Sequence, residues 1–162
     1  CAWKFHFVTF GCKVNQYETQ ALREAWISRG GTECDNPGAA DVVCVNSCAI
    51  TARGERDARH AVARLRRDAP GARVVLTGCA ARLPPDGDGD GVPDAIVPQE
   101  FKSRLLPGPD ASRGPADADG GDGAFPPFAI SGFRRARPVL KVQDGCRHRC
   151  TYCIVPLTRG PC

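Results

Sequence analysis

The sequence predicts an α/β fold, a parallel βαβαβ sheet followed by the opening strand and loop of a second domain. Three observations carry this. Short β-prone or apolar runs recur at residues 5–10 (FHFVTF), 42–46 (VVCVN) and 73–77 (RVVLT). The second and third have the continuous apolar character of strands buried on both faces. Helical patterns separate the runs, and right-handed crossovers then turn the order into a parallel sheet covered by helices.

The elements follow in order. The opening stretch CAWKFHFVTFG alternates and carries Lys4 and His6, so it reads as a strand and not as the continuous hydrophobic core of a secretory signal. After Cys12, Asn15 followed three residues later by Glu18 resembles a capping box with Asn in place of Ser or Thr. Tyr17, Ala21, Leu22, Ala25 and Trp26 then repeat on one helical face until Gly30 and Gly31 stop the helix. In the second helix Ala58, Ala61, Val62 and Leu65 form the inner stripe, ended by Pro70 and Gly71. A weaker strand at 95–97 and a short helix at 99–106 continue the pattern. Residues 107–127 (PGPDASRGPADADGGDGAFPP) hold almost no large apolar side chains and read as a flexible linker. Beyond it, RPVLKVQDG at 137–145 reads as a strand running into CRHRCTYC. The division is a first domain at 1–106, a linker at 107–127, and the start of a second domain at 128–162.

The chain has 162 residues, 42% apolar and 25% charged, the composition of a globular protein. No apolar run approaches the roughly 18 residues of a membrane-crossing helix, so no membrane association is expected. There is no Met and residue 1 is a Cys, so the chain reads as a piece of a longer product. The ten cysteines stand at 1, 12, 34, 44, 48, 79, 146, 150, 153 and 162, with one long gap and then a tight group. A disulfide scaffold spreads its bridges through the chain, so this distribution points instead to metal ligation in a reducing, cytoplasmic compartment.

Cys146, Cys150 and Cys153 form CxxxCxxC, the strongest signal in the sequence. Three thiolates on one short loop can hold three irons of a [4Fe-4S] cube and leave the fourth open to a cosubstrate. The alternative is a zinc knuckle with Cys162 or His148 as fourth ligand, although zinc sites are dominated by CxxC pairs. A second triad is dispersed but regular. Cys12 in TFGCKVNQYE, Cys48 in VNSCAIT and Cys79 in LTGCAA each follow an expected strand. Loops at the carboxyl ends of parallel strands share one edge, so these thiols can converge despite their separation in the chain. The alternative for them is three buried free thiols.

The CxxxCxxC loop, with Tyr152 before its last Cys and a strand expected just ahead of it, resembles the radical S-adenosylmethionine (SAM) superfamily. Taken together, TFGCKVNQYET, VNSCAIT, LTGCAAR and GCRHRCTYCIVPLTRG resemble the methylthiotransferases. That resemblance implies an N-terminal methylthiotransferase domain binding an auxiliary [4Fe-4S] cluster through Cys12, Cys48 and Cys79. It also implies a radical-SAM barrel, whose first strand and cluster loop are present here, with Cys146, Cys150 and Cys153 holding the cluster that binds SAM, and an RNA-binding domain further on. The first cluster would supply sulfur, and the second would cleave SAM to a radical that abstracts hydrogen from an unactivated adenine carbon. KVNQYE after the first Cys is most similar to the branch acting on N6-threonylcarbamoyladenosine beside the tRNA anticodon. The isopentenyladenosine branch usually carries QMN there, and the branch modifying a ribosomal protein aspartate tends toward PKN. The implied partners are the tRNA anticodon loop and an electron donor such as flavodoxin or ferredoxin, and this chain alone is expected to be inactive. The reading from a different class is a zinc-bearing RNA-binding module without catalysis.

Other signals are weaker. DGDGDGVPD at 86–94 begins like a calcium loop, but Val97 stands where the bidentate Glu is needed, so an acidic turn is expected. The formal charge of +4 hides a split: residues 86–122 hold 9 acids and 3 bases, which leaves 19 bases and 9 acids elsewhere. Arg53, Arg56, Arg59, Arg64, Arg66 and Arg67, with Arg134, Arg135 and Arg137, form either an RNA-facing surface or a solvated helix face. Cys1, Cys34, Cys44 and Cys162 read as spare thiols, with Cys44 in the core, and His6, His60 and His148 lack ligand-like spacing.

Overall fold

A computed structural model describes residues 2–82, 91–109, 130–133 and 139–161. The chain forms a five-stranded, all-parallel sheet of β1 (Trp3–Thr9), β2 (Gly31–Glu33), β3 (Val42–Ser47), β4 (Arg73–Gly78) and β5 (Ala95–Pro98) in the order β2-β1-β3-β4-β5. Helix α1 (Lys13–Ser28) connects β1 to β2, and α2 (Ala52–Asp68) connects β3 to β4. The expected α/β class and its three main strands are therefore present.

Every residue of β3 is buried, as a central parallel strand requires. Alternate side chains of the sheet feed two cores. On one face Phe5, Phe7, Val42, Cys44 and Val75 meet Tyr17, Ala21, Leu22 and Trp26 of α1, with Leu105 from the 3-10 helix Gln99–Leu105. On the other, Val43, Val45, Val74 and Leu76 meet Val62 and Leu65 of α2. Trp26 lies 4.8–5.3 Å, centroid to centroid, from Trp3, Phe5 and Phe7. Its indole N–H donates to Leu105 O at 2.5 Å, which ties the 3-10 helix to α1.

The expected short helix at 99–106 is present as the 3-10 helix Gln99–Leu105. Three expectations need correction. Gly31 does not merely end α1; it opens β2, an edge strand of three residues (Gly-Thr-Glu) too short to show any alternation. Asn15 and Glu18 form no capping box: α1 starts earlier, with Cys12 at the N-cap, and both side chains are buried within the helix. The described part of the expected 137–145 strand, 139–145, is not a strand. Its alternation is present but inverted, because Leu140 and Val142 are 77% and 82% exposed while the side chain of Lys141 is 2% exposed. Lys141 is drawn inward by buried carboxylates, and no described strand pairs with the segment. The acidic turn at 86–94 lies outside the described residues up to Asp90, as do 110–127 of the linker. No helix among the described residues is long and apolar enough to cross a membrane.

Candidate functional site

The strand order reverses direction between β1 and β3, since the chain moves outward to β2 after the first and toward β5 after the second. In open parallel sheets the crevice beyond the carboxyl ends at such a point is where ligands bind. Cys12 follows β1, Cys48 follows β3 and Cys79 follows β4, on three adjacent strands.

Glycines make the approach possible. Gly11 has φ +90°, and a Cβ on it would sit 2.5 Å from Cys48 Cβ and 2.6 Å from Cys48 Sγ, so the turn carrying Cys12 packs directly on Cys48. Gly78 has φ +92°, and a Cβ there would run into the Ser47 carbonyl and lie 2.7 Å from Ser47 N. That close passage sets Cys79 next to Cys48, in the register Ser47↔Gly78. Ser47 Oγ donates to Thr77 O at 2.5 Å and accepts from the Ala80 N–H at 3.2 Å, pinning the two strand ends together. Cys12 stands at the N-cap position of α1 without a side-chain cap bond, and Cys48 lies against the first turn of α2, where Thr51 accepts from the Gly54 N–H. Both helix N-termini, with their partial positive charge, thus face this edge.

The edge is backed by a buried polar network that local sequence signals did not reveal. Glu18 Oε2 accepts from Lys102 Nζ at 2.6 Å, and Oε1 accepts from Lys141 Nζ at 2.6 Å, Gln99 Nε2 at 2.9 Å and Arg159 at 3.2 Å. Asp144 accepts from Lys141 at 2.7 Å and Arg159 at 2.5 Å. Arg159 also donates to Asn15 Oδ1 at 2.6 Å, and Lys102 to Asn46 Oδ1 at 2.9 Å. Burial alone would raise the Glu18 carboxyl, but Lys102, Arg159 and Lys141 together hold it down at about 2. Burial pulls Lys102 below its usual value against the attraction of Glu18. Arg159 is raised despite burial, first by Glu18 and then by Cys79 and Asp144. The network formally holds three cations and two carboxylates, and both Lys102 and Arg159 are within electrostatic reach of Cys79.

Cys146, Cys150 and Cys153 lie on a loop that closes on itself, with the Cys146 N–H donating to Gly160 O at 3.0 Å. It leads into α3 (Val155–Arg159), which packs on the 3-10 turn Cys79–Arg82, and Arg82 donates to Leu157 O at 2.7 Å. Cys150 and Tyr152 are exposed.

Cys12, Cys48, Cys79, Cys146, Cys150 and Cys153 are all free thiols. The two triads differ in how far they are assembled. The backbone sets Cys12, Cys48 and Cys79 at neighbouring strand ends, but Cys12 faces solvent while Cys79 is packed with Ala49 and Ala80. Among the described residues no three Cys, His, Asp or Glu side chains converge as a ligand set in either triad. Cysteine thiols at adjacent strand ends, beside the buried cations Lys102 and Arg159, are a donor set that fits an iron-sulfur group, and ligation requires the thiols to turn toward one another.

Of the other candidates, Cys44 is a core thiol, which burial pushes up to about 12. Cys34 is half-buried beside Phe5 O, while Cys1 and Cys162 lie outside the described residues. His6 bonds to Cys34 O. The arginines of α2 are largely engaged: Arg59 pairs with Glu55 at 2.6 Å, Arg64 with Asp68 at 3.0 Å and Arg66 with Asp94 at 2.6 Å. Arg53 approaches Asp57 at 3.7 Å, and Arg56 and Arg67 are exposed. This is a salt-bridged solvated face more than a bare cationic one, and Arg134, Arg135 and Arg137 lie outside the described residues.

Residues 4–88 match the uncharacterized protein family UPF0004. Across 158 residues the chain is 37% identical to the threonylcarbamoyladenosine tRNA methylthiotransferase MtaB of Chlamydia pneumoniae, covering 96% of this chain and 36% of that protein. It is 30% identical over 173 residues to a tRNA-2-methylthio-N(6)-dimethylallyladenosine synthase of Deinococcus radiodurans, covering 98% and 32% of the two. It is 32% identical over 177 residues to the ribosomal protein uS12 methylthiotransferase RimO of Desulfosudis oleivorans, covering 97% and 38%. The chain thus spans about a third of the length of the curated relatives it matches. With a five-stranded parallel sheet, the cysteine-bearing strand ends and a match over more than half its residues, the chain belongs to the UPF0004 family.

Proposed function

We propose that this chain is part of a radical-SAM methylthiotransferase that modifies N6-threonylcarbamoyladenosine in tRNA. The observation that carries the reading is the pairing of two cysteine triads within one chain, one at the switch point of the sheet and one on the loop packed beside it. The branch assignment is supported by KVNQYE after Cys12 and by similarity to MtaB proteins at 30–37% identity, a range that includes the 30% and 32% of the relatives named for other substrates, so the motif carries the assignment.

Cys12, Cys48 and Cys79 would hold an auxiliary [4Fe-4S] cluster, and Cys146, Cys150 and Cys153 the [4Fe-4S] cluster that binds SAM. When bound, these groups supply the sulfur and the radical chemistry. The chain's own part is to hold the thiols. Gly11 and Gly78 allow the strand ends to close in, α1 and α2 turn their N-termini toward anionic ligands, and Lys102 and Arg159 balance negative charge at Cys79. We place the methylthiotransferase domain at 1–106, the linker at 107–127 and the start of the radical-SAM domain at 128–162. The working partners are the tRNA anticodon loop and a low-potential donor such as flavodoxin or ferredoxin, in the cytoplasm.

Deleting the gene that encodes the whole protein tests this reading. Mass analysis of tRNA nucleosides from the deletion strain is expected to lose 2-methylthio-threonylcarbamoyladenosine and retain its unmethylthiolated precursor. Persistence of that product with loss of the isopentenyladenosine derivative, or of the ribosomal aspartate modification, overturns the branch assignment. Persistence of all three overturns the activity.

A further inference from the structure

We propose that Arg159 is a positioning residue shared by the two cysteine sites, latching the loop that carries Cys146, Cys150 and Cys153 onto the edge that carries Cys12, Cys48 and Cys79. It is the last residue of α3, six residues beyond Cys153, and its guanidinium crosses to the other side of the site. One nitrogen bonds Glu18 and Asp144, and another bonds Asn15. Glu18 and Asn15 belong to α1, the helix with Cys12 at its N-cap position, whereas Asp144 precedes Cys146 by two residues. The planar fork of an arginine can hold these three acceptors at once, which an ammonium cannot match with the same geometry.

The surrounding contacts all act in the same sense. Lys141 joins Glu18 to Asp144, Gln99 donates to both carboxylates, and Arg82 holds Leu157 O. Gly145, at φ +72°, leaves room for Gly160 and Pro161, so the base of the loop closes tightly behind Arg159. The latched segment covers the turn that begins at Cys79, and Cys79 itself is 1% exposed. Charges supplied from sequence-distant segments to one buried site fix a unique docking, because any other placement strands an unpaired charge. Opening the latch should therefore uncover Cys79 and free the loop without disturbing the sheet. This device consists of the chain's own side chains and holds whatever the thiols bind, so its failure and the failure of the methylthiotransferase reading are separate results.

The test is made on the metal-free, reduced 162-residue chain, by hydrogen exchange and by alkylation with iodoacetamide followed by peptide mass analysis. In Arg159→Ala the amides of Cys146 and Thr158 are expected to exchange at least tenfold faster than in the parent chain. Cys79 should alkylate at least tenfold faster, while Cys44 and the amides of Val43–Asn46 keep their rates. In Arg159→Lys, which keeps a cation for Glu18 but loses the fork, Cys79 should alkylate at an intermediate rate. Rates for Cys79 and the loop amides within twofold of the parent in Arg159→Ala overturn the proposal. If Arg159→Ala also releases Cys44, the sheet itself has opened and Arg159→Lys decides: with Cys44 protected, an accelerated Cys79 supports the latch and a parental rate overturns it.

Discussion

Glu18→Ala is expected to lower the stability of the chain by about 3–5 kcal/mol, the cost of leaving a buried charge without its partner. Lys102 is fully buried, and its remaining acceptor would be the neutral Asn46 Oδ1. The double variant Glu18→Leu/Lys102→Met, which removes the buried pair and keeps apolar volume, should recover at least half of the loss. The same residue sets a pH dependence. Its folded-state carboxyl is depressed from 4.5 to about 2, so its contribution is fully present above 4.5 and is lost as pH falls toward 2. A shift of that size corresponds to about 3 kcal/mol. Urea titrations followed by the fluorescence of Trp3 and Trp26 measure both effects. The parental midpoint should fall between pH 4.5 and 2 more steeply than that of Glu18→Gln. A Glu18→Ala loss below about 1 kcal/mol would mean that the carboxylate does not hold the network together.

Gly78→Ala should cost about 3 kcal/mol, combining the strain of an L side chain at positive φ with the overpacking of a filled site. The added methyl meets the Ser47 backbone, which the β3–β4 pairing holds in place, and Asn46 Oδ1 at 2.6 Å, whose side chain is fixed by its buried hydrogen bonds. Gly30→Ala is the control: its φ is +84°, yet nothing lies within 4 Å of the added Cβ, so only the backbone strain of about 1 kcal/mol remains. Gly11→Ala should fall between them, because its obstacles, Cys48 Cβ at 2.5 Å and Sγ at 2.6 Å, belong to a residue just past the end of β3, where the backbone can shift more readily than inside a strand pairing. Chemical denaturation of the three variants should give the order Gly78, Gly11, Gly30, and equal losses would show that close packing at the cysteine edge is unimportant.

The reach of the sequence differs between the scaffold and the site. Continuous apolar runs such as VVCVN mark strands buried on both faces, and the periodic stripe of Tyr17, Ala21, Leu22 and Trp26 marks a helix face, because both patterns are local. The placement of Cys12, Cys48 and Cys79 at strand ends is legible for the same reason. The role of Glu18 is not: its partners Lys102, Lys141 and Arg159 lie 84, 123 and 141 residues away, and each alone looks like an ordinary surface charge. A polar pair near a helix start imitates a capping box, and only the tertiary structure distinguishes a cap from a buried hub. The segment 139–145 misleads in the opposite way. Its alternation is real, but burial of Lys141 by Glu18 and Asp144 turns Leu140 and Val142 outward, a preference that no local propensity encodes.

Metal analysis after anaerobic reconstitution with iron and sulfide tests the two-site account most directly. The reduced chain should bind about eight irons, in two [4Fe-4S] clusters by Mössbauer spectroscopy. Replacing Cys12, Cys48 and Cys79 together by Ala should leave about four, and replacing Cys146, Cys150 and Cys153 should also leave about four, lost from the other site. A colourless chain holding a single zinc, or an iron content unchanged when either triad is removed, would contradict it.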